Sequence, residues 1–286
     1  MQGNEAWYAL NFGKDYTAVI AAAGYGKTTS VTHWAAHRRE AVAWYTIDSY
    51  DDRPSVFWRH VAAAIARVAP KMPEGDPAAD LPEDVAEVTA LLGALGADAD
   101  PLVLVLDDAH LIEDATTLEQ LAYFIDRAPT ALRVIILGRV RPDLPWGRWA
   151  ARRHLTEVAE AALAFDTTQC AALLRSTSGA DLTDEAIERL TDAAAGWPAM
   201  LALAAHILSR HDRPAEQMSE SLARDHLVLD FVVNEVLEHL DGPDRDAAAL
   251  MSLLDELDPQ RCELLCGVPD GSALLHRLAR QGVPML

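Results

Sequence analysis

The chain has 286 residues, is 50% apolar and carries a net charge of −20, enough for about two domains with buried cores and too acidic to offer a nucleic-acid backbone a clustered positive face. No uninterrupted apolar run of about 20 residues occurs, and Met1–Tyr8 contains Glu5 without a basic segment ahead of an apolar one, so neither a membrane span nor an export signal is expected. Three cysteines form no disulfide framework, which fits a reducing cytoplasm; Cys262 and Cys266, four apart on one helix face, lack a second ligand pair and read as core.

Taken in order, Tyr16–Ala22 is short and apolar and reads as a strand that turns through Gly24 and Gly26 into a helix ending near Arg38. Ala41–Ile47 is a second strand, and Ser55–Val68 has helical spacing behind Pro54. Lys71–Leu81, rich in Pro, Asp and Gly, reads as a loop, and Val85–Leu95 as a helix. Leu102–Leu106 is a run of five aliphatics, too short for a helix and suited to a strand buried on both faces. Leu118–Asp126 reads as a helix and Leu132–Leu137 as another buried strand. The alternation predicts an α/β fold, a parallel sheet with helices on both faces.

After about Phe165 the strands stop. Asp166-Thr-Thr-Gln169 has the form of a helix-start capping box. Helical segments follow at 169–176, 184–194, 198–208, 222–239, 245–254, 259–266 and 272–281, with a polar break at Ser209–Ala215. Gln281–Leu286 carries no finishing element, so the chain is expected to continue.

The chemistry concentrates at Ala21-Ala-Ala-Gly-Tyr-Gly-Lys-Thr-Thr29, between a strand and a helix. This is the phosphate-loop pattern, with Ala21 at its first, often glycine, position. Gly24 and Gly26 let the backbone curl so that the amides of Ala23 through Thr29 face a polyphosphate, and the helix start adds its positive end. Lys27 reaches the β- and γ-phosphates, and the Thr28 hydroxyl ligates Mg²⁺. Such a loop requires an apolar strand ending in an acid, which Leu102-Val-Leu-Val-Leu-Asp-Asp108 supplies. Asp107 stands where it would meet Mg²⁺, and Asp108 where a general base for the attacking water would stand. Arg139, just past Leu132–Leu137, lies at the strand edge where ligands of open α/β sheets sit and could sense a γ-phosphate. For Arg141, Arg148, Arg152 and Arg153 the plain surface reading is favoured.

These segments, with Ala43-Trp44-Tyr-Thr-Ile-Asp48, Asp51, Ala109-His110-Leu-Ile and Gly196-Trp197-Pro198, resemble in matching order the nucleotide-binding module of MalT-type regulators of the STAND class, many of which end in a LuxR-type helix-turn-helix. The resemblance implies a P-loop α/β domain (1–164), a small helical domain (165–216) and a winged-helix-like domain (217–286). It also implies an ATP/ADP switch with slow hydrolysis, self-association in the ATP state and DNA binding by a segment further downstream. Pro198 would pack on the adenine, whereas Trp197 taken alone reads as core. Asp48 and Asp51 match favoured positions without an assigned role. Ala22 departs from the usual proline, and the Met-His-Asp triplet of related proteins is missing, which leaves a winged-helix contact to nucleotide without support. Two rivals stand beside this reading, a nucleotide-holding scaffold without turnover and a metabolic phosphotransferase.

Overall fold

The computed structural model describes residues 16–69, 88, 91–93, 95, 96, 100–178, 182–210, 225–254 and 256–283. The chain divides into two compact units, one of Met1–Ile20 with Lys27–Ala159 and the other of Ala21–Gly26 with Glu160–Leu286. The expected loop Lys71–Leu81 lies outside the described residues. Of the expected helix Val85–Leu95, positions 88, 91–93 and 95 are helical.

The first unit is built on strands β1 (Tyr16–Ile20), β2 (Ala41–Thr46), β3 (Leu102–Asp107), β4 (Leu132–Gly138) and β5 (Leu155–Ala159). They form one parallel sheet in the order β2-β3-β4-β1-β5. Parallel neighbours need crossovers, supplied by α1 (Lys27–Ala35), α2 (Pro54–Ala66), α3 (Ala115–Arg127) and α4 (Trp146–Ala151). Every residue of β3 is buried. Its alternate side chains serve opposite faces: Leu102, Leu104 and Leu106 join the cluster formed with Phe57, Trp58, Leu121 and Phe124, while Val103 and Val105 are equally buried. Removing each such side chain from water contributes about 1.5–3 kcal/mol, which is why the aliphatic run reads so clearly as a central strand. A buried polar pair is satisfied within it, where the Trp58 indole N–H donates to Gln120 Oε1 at 2.7 Å.

Strand β5 and helix α4 were not among the sequence-based expectations. Among the described residues β5 pairs with β1 alone, and it buries just Leu155 and Val158 of its five residues, so its pattern is faint in an Ala-rich stretch. The arginines around it are engaged locally: Arg148 pairs with Asp126, Arg152 lies 4.0 Å from the same carboxylate, and Arg141 is 3.1 Å from Glu157.

The described part of the second unit is helical: α5 (Glu160–Leu163), α6 (Thr167–Ser178), α7 (Asp184–Ala193), α8 (Pro198–Arg210), α9 (His226–Val232), α10 (Gly242–Met251), α11 (Pro259–Cys266) and α12 (Gly271–Arg280). The helix expected over 222–239 relaxes into a π-turn at Val233–Leu237, and α8 runs through Ser209 and Arg210 into the expected polar break. The capping box forms as read: Asp166 N–H donates to Gln169 Oε1, and Gln169 N–H to Asp166 Oδ1, both at 2.8 Å. Among the described residues its core includes small clusters around Cys170 and Leu201, around Leu174 and Leu190, and around Cys262, Leu274 and Leu278. In the last, Arg277 grips the buried Asp244 carboxylate at 2.7–2.9 Å and holds it below the usual carboxylate range.

Candidate functional site

Strand order sets the geometry. β4 lies between β1 and β3, so a helix leaving the β1 end must reach past the end of β4 to meet the end of β3. It does so through Thr28, whose hydroxyl donates to Asp107 Oδ2 at 2.9 Å and lies 3.2 Å from Oδ1. Asp107 is 2% exposed, and burial pushes its carboxyl up. The Thr28 hydroxyl, the Asp108 amide at 3.1 Å and the Lys27 ammonium act the other way and favour the anion. Lys27 is itself buried rather than turned to solvent. Asp108 follows at φ 56°, ψ 36°, left-handed backbone that a side-chain-bearing residue adopts at a cost. Its carboxylate is 40% exposed and lies 3.8 Å from His110 Nδ1.

Gly138 closes β4 where nothing larger fits, since a Cβ there would stand 2.7 Å from the Val140 carbonyl oxygen and 3.5 Å from His110 Cβ. Arg139 comes next, half-buried in the bend that leaves the strand. Hence Asp107 ends β3, Asp108 and Arg139 lie in the turns after β3 and β4, and Lys27 and Thr28 open the helix that follows β1.

Residues 21–26 are held by the second unit. The Trp197 indole N–H donates to the Ala23 carbonyl at 3.0 Å, the Ala199 N–H to the Gly24 carbonyl at 3.1 Å, and the Ala22 N–H to Glu160 Oε1 at 2.8 Å. Tyr25 stacks on Trp197 at 6.4 Å, and Phe231 tilts against the indole at 5.7 Å. Burial, and the Glu160 charge second, push the Tyr25 phenol up to about 12, so it stays neutral. Gly24 has φ +76°, and a Cβ there would meet Ala199 Cβ at 2.5 Å and Trp197 Nε1 at 2.9 Å. Only glycine suits both the turn and this approach. Pro198 is the first residue of α8 and half-buried, whereas Thr29 is exposed.

Three roles were not legible beforehand. Trp197 is buried, as core would be, yet also bonds the loop. Asp48 and Asp51 cap a short helical turn after β2: Asp48 accepts from the Tyr50 N–H at 3.0 Å, and Asp51 from the Asp48 N–H at 2.9 Å. Their spacing of three was the available signal. Asp52 accepts from the Glu113 and Asp114 amides at 3.0 and 2.8 Å, fixing the far end of the turn that begins at Asp108.

Comparison with known proteins places this geometry. The AAA domain family matches residues 10–141 and the MalT winged helix domain matches residues 233–286. The serine/threonine-protein kinase PknK of Mycobacterium tuberculosis is 30% identical over 273 residues, 93% of this chain and 24% of that protein. The HTH-type transcriptional regulator MalT of Serratia proteamaculans is 30% identical over 274 residues, 93% of this chain and 30% of the regulator. The chain thus spans less than a third of the curated relatives it matches. A Walker-type ATPase of Pyrococcus abyssi superposes with a TM-score of 0.62 at 14% identity, covering 97% of this chain and 86% of that one, which bears on the fold alone.

Proposed function

Because the chain is a MalT-like P-loop ATPase module, with an AAA domain followed by a MalT winged helix domain, we propose that it is an ATP/ADP-dependent switch whose slow hydrolysis controls passage from a closed to an assembled form. The observation that carries the reading is the Thr28–Asp107 pair, a hydroxyl and a buried carboxylate brought within 2.9 Å at the start of α1. Both donors are hard oxygens, the set that suits Mg²⁺, which keeps several waters and is completed by substrate phosphates. In this reading waters and the substrate phosphates complete the shell.

In this reading Lys27 and the amides of Ala23 to Thr29 bind the polyphosphate, Pro198 packs on the adenine and Arg139 senses the γ-phosphate. Mg²⁺, when bound, neutralises charge developing on the phosphates. Asp108 orients the attacking water and takes its proton. The intact Asp107–Asp108 pair, with the Asp108 carboxylate partly exposed, supports turnover over a scaffold that only holds nucleotide. Three parts carry the switch in this proposal: 1–164, 165–216 and 217–286. The same stretch matches a protein named as a kinase and others named as regulators, which supports a module that serves more than one kind of output. In the regulator case the output is transcription, with DNA bound by another segment.

The size of the switch limits what one phosphate achieves. Moving an equilibrium from 1:99 to 99:1 takes about 5.5 kcal/mol of differential binding. A charge-assisted hydrogen bond contributes about 1.5–3 kcal/mol. Arg139 alone is insufficient, so ATP should not fully assemble this chain without a second input.

The test is the nucleotide released by heat from purified protein, followed by phosphate release from Asp108→Asn. ADP or ATP in the supernatant, with turnover lost in the variant, is expected. No nucleotide bound or recoverable on soaking would overturn the switch, and unchanged turnover would remove Asp108 from it.

A further inference from the structure

We propose that Trp197 is a positioning residue for the phosphate loop, aiming the Gly24 amide by holding the carbonyl behind it. The proposal rests on the nucleotide-binding reading above and deepens it. The geometry follows from peptide planarity: in a trans peptide the carbonyl of one residue and the N–H of the next point in opposite directions. The Ala23 carbonyl is held by the Trp197 indole N–H at 3.0 Å, so the Gly24 N–H points away from Trp197. The Gly24 carbonyl is held by the Ala199 N–H at 3.1 Å, so the Tyr25 N–H points away from α8. Two successive amides are thereby turned to the same open side, the arrangement that binds anions.

Such a restraint is needed because of Gly24 itself. Glycine crosses between backbone regions at little cost, so the Ala23–Gly24 peptide could flip and present its carbonyl to the ligand. A phosphate would then meet oxygen where it requires N–H. Trp197 is suited to prevent this. It is buried, so its N–H has no water to turn to, and its ring packs against Tyr25 at 6.4 Å and Phe231 at 5.7 Å. The close approach of Trp197 Nε1 and Ala199 Cβ to Gly24 shows the loop seated directly on this turn. At the base of the loop the Ala22 amide is donated to Glu160, so the division of labour runs along the segment: base amide to protein, crest amides to ligand.

The test deletes one hydrogen bond and nothing else. Trp197 is replaced by its benzothienyl isostere, in which sulfur stands for the indole N–H, and separately by Trp197→Phe. Binding of ATP, ADP and adenosine is measured by calorimetry on the whole chain, beside its melting temperature. ATP and ADP should bind about tenfold more weakly to the isostere, the equivalent of one hydrogen bond at roughly 1.4 kcal/mol, with adenosine binding unchanged and melting lowered by only about 2–4 °C. Trp197→Phe should show the same split between polyphosphate and adenosine. Wild-type ATP affinity in the isostere, or an equal loss for all three ligands, would overturn the role of Trp197. A wild-type chain that binds neither ATP nor ADP would instead overturn the nucleotide reading on which the proposal stands.

Discussion

The start of α1 in the α/β unit is built differently from five helix starts of the helical unit, while α3 of its own unit is capped by Asp114 as they are. In the helical unit, α7, α9, α10, α11 and α12 each begin on a side chain that accepts a backbone N–H: Thr183, Asp225, Asp241, Asp258 and Asp270. These helices close their own ends, and the sequence says so with an Asp or Thr before each. α1 of the α/β unit starts on Lys27 with no acidic residue in its first turn. An acid there would compete with a phosphate for the same amides. Arginine precedes α2 and proline α4, neither with a side-chain cap, so a missing acceptor is not by itself a ligand signal; at α1 it coincides with glycines, Lys27 and Thr28, the set a phosphate requires.

The largest effect should come from the open start. Lys27→Ala is expected to weaken ATP binding by roughly two orders of magnitude, the scale of a lost charge-assisted contact, with the circular dichroism spectrum intact. Retained affinity would erase the contrast between the two kinds of helix start. Next comes the buried pair of the helical unit. Arg277→Ala leaves the Asp244 carboxylate buried without its guanidinium, and because Arg277 is 45% exposed the cost should be about 2 kcal/mol, below that of a fully buried pair. Urea unfolding of the chain would read it, and ATP binding should not change.

Closing a helix end is worth less. Asp258→Ala removes the acceptor for the Gln260 and Arg261 amides at 2.8 and 3.1 Å and should cost about 1 kcal/mol by the same measurement. A cost near zero would mean that these caps mark helix starts without holding them. The smallest effect is a pH dependence. Arg277 depresses the Asp244 carboxyl in the folded state, so its contribution is complete above the ordinary carboxylate value and disappears as pH falls through the depressed one. Asp244→Asn should flatten this acid limb of the stability curve.

The same contrast explains what could be read without coordinates. β3 and β4 are buried on both faces, and the loop between β1 and α1 combines glycines with Lys27 and Thr28, so both stand out locally. The capping box at Asp166 is equally local. β5 was missed because an edge strand burying two side chains carries little pattern, and α4 because six residues scarcely show a period. Trp197 passed for core because its indole N–H reaches a carbonyl 174 positions earlier in the chain, which no spacing rule reveals. Asp48 and Asp51 formed a visible motif whose capping role appears only once their amides are placed.

The central claim is that Thr28 and Asp107 hold a divalent cation against a polyphosphate cradled before Lys27. Calorimetric titration of ATP with and without Mg²⁺, on the wild-type chain and on Asp107→Asn, tests it directly. Mg²⁺ should tighten ATP binding in the wild type, and most of that gain should be lost in the variant, which should still bind metal-free nucleotide. ATP affinity indifferent to Mg²⁺ in the wild type, or an undiminished Mg²⁺ gain in Asp107→Asn, would contradict it.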